Sequence, residues 1–221
     1  MFNAKYAVLA TAVLAFSFQL MATDPTDVYQ QSYFYNIGDG HPGNSPMGGP
    51  NADASFTILD PGVNAPASIC ANIYVLNPSE ELEACCSVRL TPDEIVQGQV
   101  SNLVTNLLNN NGLVNGVIKI ISSSVVAGPV PCPSGSATLS TTADLRAWIT
   151  RLDSTTPFAR GPGQQTGVTT TSFAQAPLSP SEQSTLVNTC HFIYLYGSNF
   201  GQCPVPVEPY SGGSPAPTGG Q

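Results

Sequence analysis

A mainly β fold, an antiparallel β-sandwich of the immunoglobulin-like kind with about seven strands and one or two short helices, is what this chain predicts. Three observations carry the prediction. Short β-like runs recur from residue 55 onward with turn chemistry between them. No alternation of strand and helix periods marks a parallel sheet. Six cysteines, Cys70, Cys85, Cys86, Cys132, Cys190 and Cys203, supply the cross-links expected of an exported domain. The 221 residues divide into a signal peptide (1–22), an N-terminal strand with a Gly/Pro linker (23–51), a disulfide-linked sandwich (52–203) and a Pro/Gly-rich disordered tail (204–221).

The order of elements comes from local pattern. Residues 7–22 form an apolar run behind Lys5, short for a membrane span and succeeded at once by Thr-Asp-Pro-Thr-Asp, which favours a cleaved secretory signal over a retained anchor. The expected location is secreted, extracellular or at a cell surface, with no stable membrane anchor after cleavage. Next, Tyr29, Tyr33, Tyr35 and Ile37 fall on one side of a period-two segment, a strand, and the Gly/Pro/Asn tract 38–51 tethers it.

Strands are then expected at 55–59, 68–76, 84–90, 116–126, 145–152, 168–174 and 191–196, with Asp60-Pro61-Gly62 and Asn77-Pro78-Ser79 as turns. Two capping boxes interrupt them: Thr91-Pro92-Asp93-Glu94 and Ser179-Pro180-Ser181-Glu182 each place a hydroxyl at the cap, Pro at the first helical position and Glu at the third. Leu186, Val187 and Cys190 give the second box a short amphipathic helix. Behind the first, Val96, Val100, Leu103, Val104 and Leu107 keep helical spacing, while Gly98 and Asn109 to Gly112 leave the helix broken or short. The tail repeats Pro with Val and Gly and resembles neither a sorting nor a lipid-anchoring signal.

Adjacent strand residues face opposite ways, so Cys85 and Cys86 require different partners. The sequence-local pair Cys190 with Cys203 then leaves Cys70 and Cys132 for them in either order. With 14 acidic against 6 basic residues and a net charge of −8, the chain is not expected to take nucleic acid as a partner. Charged residues make up 9% of the chain, so copies approach one another with little ionic repulsion.

No group of residues declares a chemistry. Gly38-Asp39-Gly40-His41-Pro42-Gly43 matches a dinucleotide fingerprint in letters, but Pro42 and the residues after it open no helix. His41 and His191 are far apart and no C-x-x-C pair occurs, which argues against zinc. His191 reads as a structural residue opening an apolar run, and Glu80, Glu81 and Glu83 as a solvated turn. Trp148 reads as a core anchor. Lys119 lies in a strand, facing outward or cross-linked to a carboxyl or amide partner. No cofactor, metal or catalytic residue is expected, and the chain reads as a non-enzyme.

The runs Cys70-Ala71-Asn72-Ile73-Tyr74-Val75, Cys85-Cys86, Val117-Ile118-Lys119-Ile120, Leu145-Arg146-Ala147-Trp148 and Cys190-His191-Phe192-Ile193, in this order, resemble a family of secreted bacterial cysteine-containing proteins of no known activity. The resemblance spans roughly residues 54–203 and implies an exported, cysteine-linked domain with no catalytic residues to carry over. In layout the chain is also similar to strand-exchange fibre subunits. The expected function is a structural or adhesive extracellular subunit that self-associates, with Tyr29, Tyr33, Tyr35 and Ile37 filling a groove in cis or in trans. The alternative is a monomeric extracellular module that binds carbohydrate or a surface protein.

Overall fold

Apolar residues on the facing sides of two antiparallel sheets meet in one shared interior. The computed structural model describes residues 27–35, 54–63, 67–104, 115–154, 166–197 and 201–203. The expected signal peptide, the 38–51 tether with its glycine motif, and the tail all lie outside these residues. In chain order the elements are β1 (Tyr29–Tyr35), β2 (Ser55–Leu59), β3 (Ile69–Leu76), β4 (Leu82–Leu90), β5 (Ile95–Gln99), α1 (Val100–Leu103), β6 (Asn115–Ser124), β7 (Arg146–Ser154), β8 (Thr166–Ser172), β9 (Ala174–Gln175) and α2 (Pro180–Tyr196). One sheet runs β4-β3-β6-β1-β9 and the other β5-β2-β7-β8. This is the predicted mainly β sandwich with few helices.

The inner faces supply the core. Phe34, Phe56, Ile58, Ile73, Leu90, Ile118, Ile120, Leu145 and Ile149 are almost fully excluded from solvent between the sheets. At about 20–33 cal/mol per Å² such burial is the main driving term of the fold. The first sheet buries its other face as well. Tyr74, Leu76, Cys85, Ile121 and Tyr29 pack there against Leu186 and Cys190 of α2. Every residue of β3 is therefore buried, including Asn72, whose amide donates to the Ile121 carbonyl at 3.0 Å and to Ser123 Oγ at 2.9 Å.

Four expectations are corrected. Residues 95–99 form a strand rather than a helix: Glu94 does reach back to Thr91 N at 2.5 Å, but Asp93 turns at φ 64°, and β5 pairs with β2 from Leu59↔Ile95 onward. A capping box fixes only local bonds, and the β-branched Ile95 and Val96 beside an open strand decide otherwise. Residues 191–196 continue α2 instead of forming a strand, because the helix started by Ser179 and Pro180 meets no stop before Gly197. The expected strand 168–174 breaks at buried Phe173, whose N–H donates to the Ala147 carbonyl while the chain passes from one sheet to the other. Trp148 alternates with the inward Ala147 and Ile149, so it sits half-buried on the outer face of β7 and not in the core.

The disulfides are Cys70–Cys132, Cys85–Cys190 and Cys86–Cys203. Cys85 and Cys86 do take separate partners from opposite faces, but Cys190 does not pair with Cys203. The helix carries Cys190 onto the outer face, where Cys85 points and where Cys70 is taken by Cys132. Gly201 to Cys203 cross the edge of β4, with Cys85 N donating to the Gly201 carbonyl at 2.8 Å, and Cys203 reaches the inner-face Cys86. Three disulfides fit an oxidising extracellular environment. Among the described residues no helix is long and apolar enough to cross a membrane. Replacing Cys70 and Cys132 together with Ala is expected to remove about 2–4 kcal/mol from the unfolding free energy in denaturant titrations.

Candidate assembly site

Two neighbours and a helix hold β1 in place. Its whole length pairs antiparallel with β6, Tyr29↔Ile121 through Tyr35↔Asn115, and its other side meets β9 at Gln30↔Gln175 and Gln31↔Ala174. The chain just ahead of it is also tied down. Ser122 N donates to the Val28 carbonyl at 2.8 Å, Ala176 N to the Tyr29 carbonyl at 3.2 Å, and Arg146 makes an ion pair with Asp27 at 2.6 Å. Gln30 is buried, and its amide donates to the Leu145 carbonyl.

The four expected groove residues divide. Tyr29 is buried, 4% exposed, on the face that α2 covers. Its hydroxyl donates to Glu182 Oε1 at 3.3 Å, and Lys119 donates to the same oxygen at 2.5 Å. Burial first, then the facing Glu182 charge and its hydrogen bond, push the Tyr29 phenol far above its ordinary range. Glu182 is thus the capping-box carboxylate, but it faces the sheet. The N-cap half of the box is intact, with Glu182 N donating to Ser179 Oγ at 3.1 Å, while the side chain ties α2 to β1 and β6. Lys119 accordingly faces outward into an ion pair.

Tyr33 and Tyr35 lie on the same side as Tyr29 but farther along. Tyr33 is 51% exposed, and its ring stacks on Tyr35 with centroids 5.8 Å apart. Arg151 of β7 stands over the Tyr35 ring at 5.6 Å and donates to Thr171 Oγ1, Ser32 Oγ and the Tyr33 carbonyl. That places a guanidinium over the side of β1 that β9 is too short to cover. Ile37 lies outside the described residues. The residue that enters the interior of the sandwich is one that the period-two aromatic count passes over, Phe34, with no exposed surface. Its opposite number on β6 is Gly116, and any larger residue there would drive its Cβ to 2.8 Å from the Phe34 ring and 2.1 Å from the Leu76 carbonyl. The signal was available as an apolar residue of opposite parity, since an internal strand needs apolar groups on both faces.

The other groups singled out in the sequence do not gather here. His191 Nδ1 lies 2.7 Å from the Gly135 carbonyl, a structural bond. Glu81 and Glu83 accept from the Asn77 amide at 2.9 and 2.6 Å in the β3–β4 turn. Asp60, given no role by its turn-like context, is fully buried, with Oδ1 accepting from Gly62 N at 2.9 Å and Oδ2 without a partner among the described residues. Desolvation raises its pKa, the Gly62 N–H opposes this, and Asp144, Asp93 and Glu94 add to the rise.

No protein-family profile matches the chain, and no curated protein matches it. A crystal structure of Thermotoga maritima 1070 is similar at 15% identity and a TM-score of 0.38, over 68% of this chain and 97% of the other.

Stability measurements can check this geometry at two places. Phe34→Ala is expected to cost about 3–5 kcal/mol in chemical unfolding, whereas Tyr33→Ser stays within about 0.5 kcal/mol of the parent. For Asp60 the raised folded pKa means that its contribution is full below the ordinary carboxylate value of 3.8 and is lost as pH rises through the folded value. Asp60→Asn should therefore melt above the parent at neutral pH, with the gap closing in acid.

Proposed function

We propose that this chain is a secreted, non-catalytic structural or adhesive extracellular subunit that links to its neighbours by exchanging β1. One observation supports the reading above the rest. β1 is bonded on both sides and buries Phe34 on one face and Tyr29 on the other, yet it is the first described element and is succeeded by a tract containing Gly38, Gly40, Gly43, Gly48 and Gly49 with three prolines. Exchange between copies keeps every contact of the slot and changes only the path of the tether, so the free-energy difference between closed and linked forms is small. The low charge density favours close approach, and three disulfides suit a durable extracellular part.

The second reading, a monomeric module binding carbohydrate or a surface protein, has an observation of its own in the exposed Tyr33 stacked on Tyr35 with Arg151 behind it. Flat aromatic surface of this kind suits sugar rings as well as side chains. Self-association separates the two readings. In electron microscopy and size-exclusion chromatography, the chain beginning at residue 23 is expected to form linked assemblies that a peptide of residues 27–37 dissolves. A chain beginning at residue 52 should recover cooperative melting when the same peptide is added. Dispersed monomers at every concentration, with no peptide binding by the shortened chain, would overturn strand exchange and leave glycan binding by the tyrosine pair as the reading to test.

A further inference from the structure

The outward side of α2 changes character halfway along. Ser184, Thr185, Asn188 and Thr189 are on the open side of the first half, but Phe192, Leu195 and Tyr196 come next at 61%, 58% and 69% exposure. Their spacing of three and four residues makes one stripe. Within it the Phe192 and Tyr196 rings pack 5.0 Å apart. The helix does not need this stripe to dock. Leu186, Val187 and Cys190 already fill its buried side, with Ile193 and Tyr194 packed beside them. A second apolar stripe is surplus to the fold.

The chain runs past this helix before a proline-rich segment begins. Gly201 lies against the helix, so near that a Cβ there would stand 3.0 Å from Ile193 Cγ2, and Cys203 is fixed to Cys86. Residues 204–210, Pro-Val-Pro-Val-Glu-Pro-Tyr, come directly after it. Three prolines in seven residues fix φ near −65° and remove backbone donors, which favours a polyproline II strip spanning about 20 Å, a form that docks on aromatic surfaces with little entropy left to lose. We propose that residues 204–210 lie across Phe192, Leu195 and Tyr196 of the same chain. The disulfide anchor holds the segment at an effective concentration of about millimolar, well above that of a second copy in dilute solution. Neither the described part of α2 nor the segment carries Lys or Arg, so the contact is apolar and insensitive to salt.

The test compares the mature chain with one ending at Cys203, by nuclear magnetic resonance of the aromatic rings. Cross-peaks between the Phe192 or Tyr196 ring and proline δ protons are expected in the mature chain. They should be lost together with a shift of both rings on truncation, and regained when a peptide of residues 204–210 is added at about millimolar concentration. Phe192→Ser in the mature chain should abolish the same cross-peaks while backbone resonances of the sheets stay in place. Ring shifts that are identical with and without the tail overturn the proposal. Shifts that grow with protein concentration overturn it in favour of a second copy on this stripe.

Discussion

Two consecutive cysteines on an edge strand set the plan of this molecule. Because β4 alternates its side chains, Cys85 faces outward and Cys86 inward, and each is bonded in its own direction. The outward bond clamps α2 to the back of the first sheet, converting a surface that would otherwise face water into a second apolar layer around Tyr74, Ile121 and Tyr29. The inward bond brings the chain around the edge of β4 and places Cys203 against the sandwich interior. One edge of the sheet is thereby covered at Cys85, where the backbone N–H is taken by Gly201.

At the far side of the same sheet, non-covalent ties do comparable work. Glu182 reaches from the first turn of α2 to both Tyr29 and Lys119, so helix docking and β1 seating share one carboxylate. A shared acceptor couples the two elements: displacing β1 leaves Glu182 with one partner fewer, and lifting the helix uncovers Tyr29. Arg151 acts at the other end of β1, where its guanidinium engages Ser32, the Tyr33 carbonyl and Thr171 from the opposite sheet.

Periodicity made most of the strands legible, and the limits of periodicity account for the misses. Alternation in 55–59, and the apolar stretches near 69–76 and 116–124, needed no tertiary information. Hydrogen-bond chemistry at Thr91 and Ser179 was equally readable, but only the second leads into a helix, since packing decides whether a capping box opens one. Residues 191–196 look the same as a strand or as the last turns of a helix until a neighbour selects between them. The disulfide partners depended on which face α2 presents Cys190 to, a fact of three dimensions. In the candidate site, the aromatic count of β1 located the strand while missing Phe34, because the count tracked one face and the slot buries both. Asp60 sat in ordinary turn context, and only the fold surrounds it with three other carboxylates.

The placement of the basic residues has a bearing on resistance to trypsin-like proteases. Past residue 22 the chain contains Arg89, Lys119, Arg146, Arg151 and Arg160. The first four lie within β4, β6 and β7, where the backbone is engaged in sheet ladders. A trypsin-like protease needs an extended, unpaired stretch to thread through its cleft, and a laddered strand denies it that. The folded sheets therefore present such an enzyme with few places to cut.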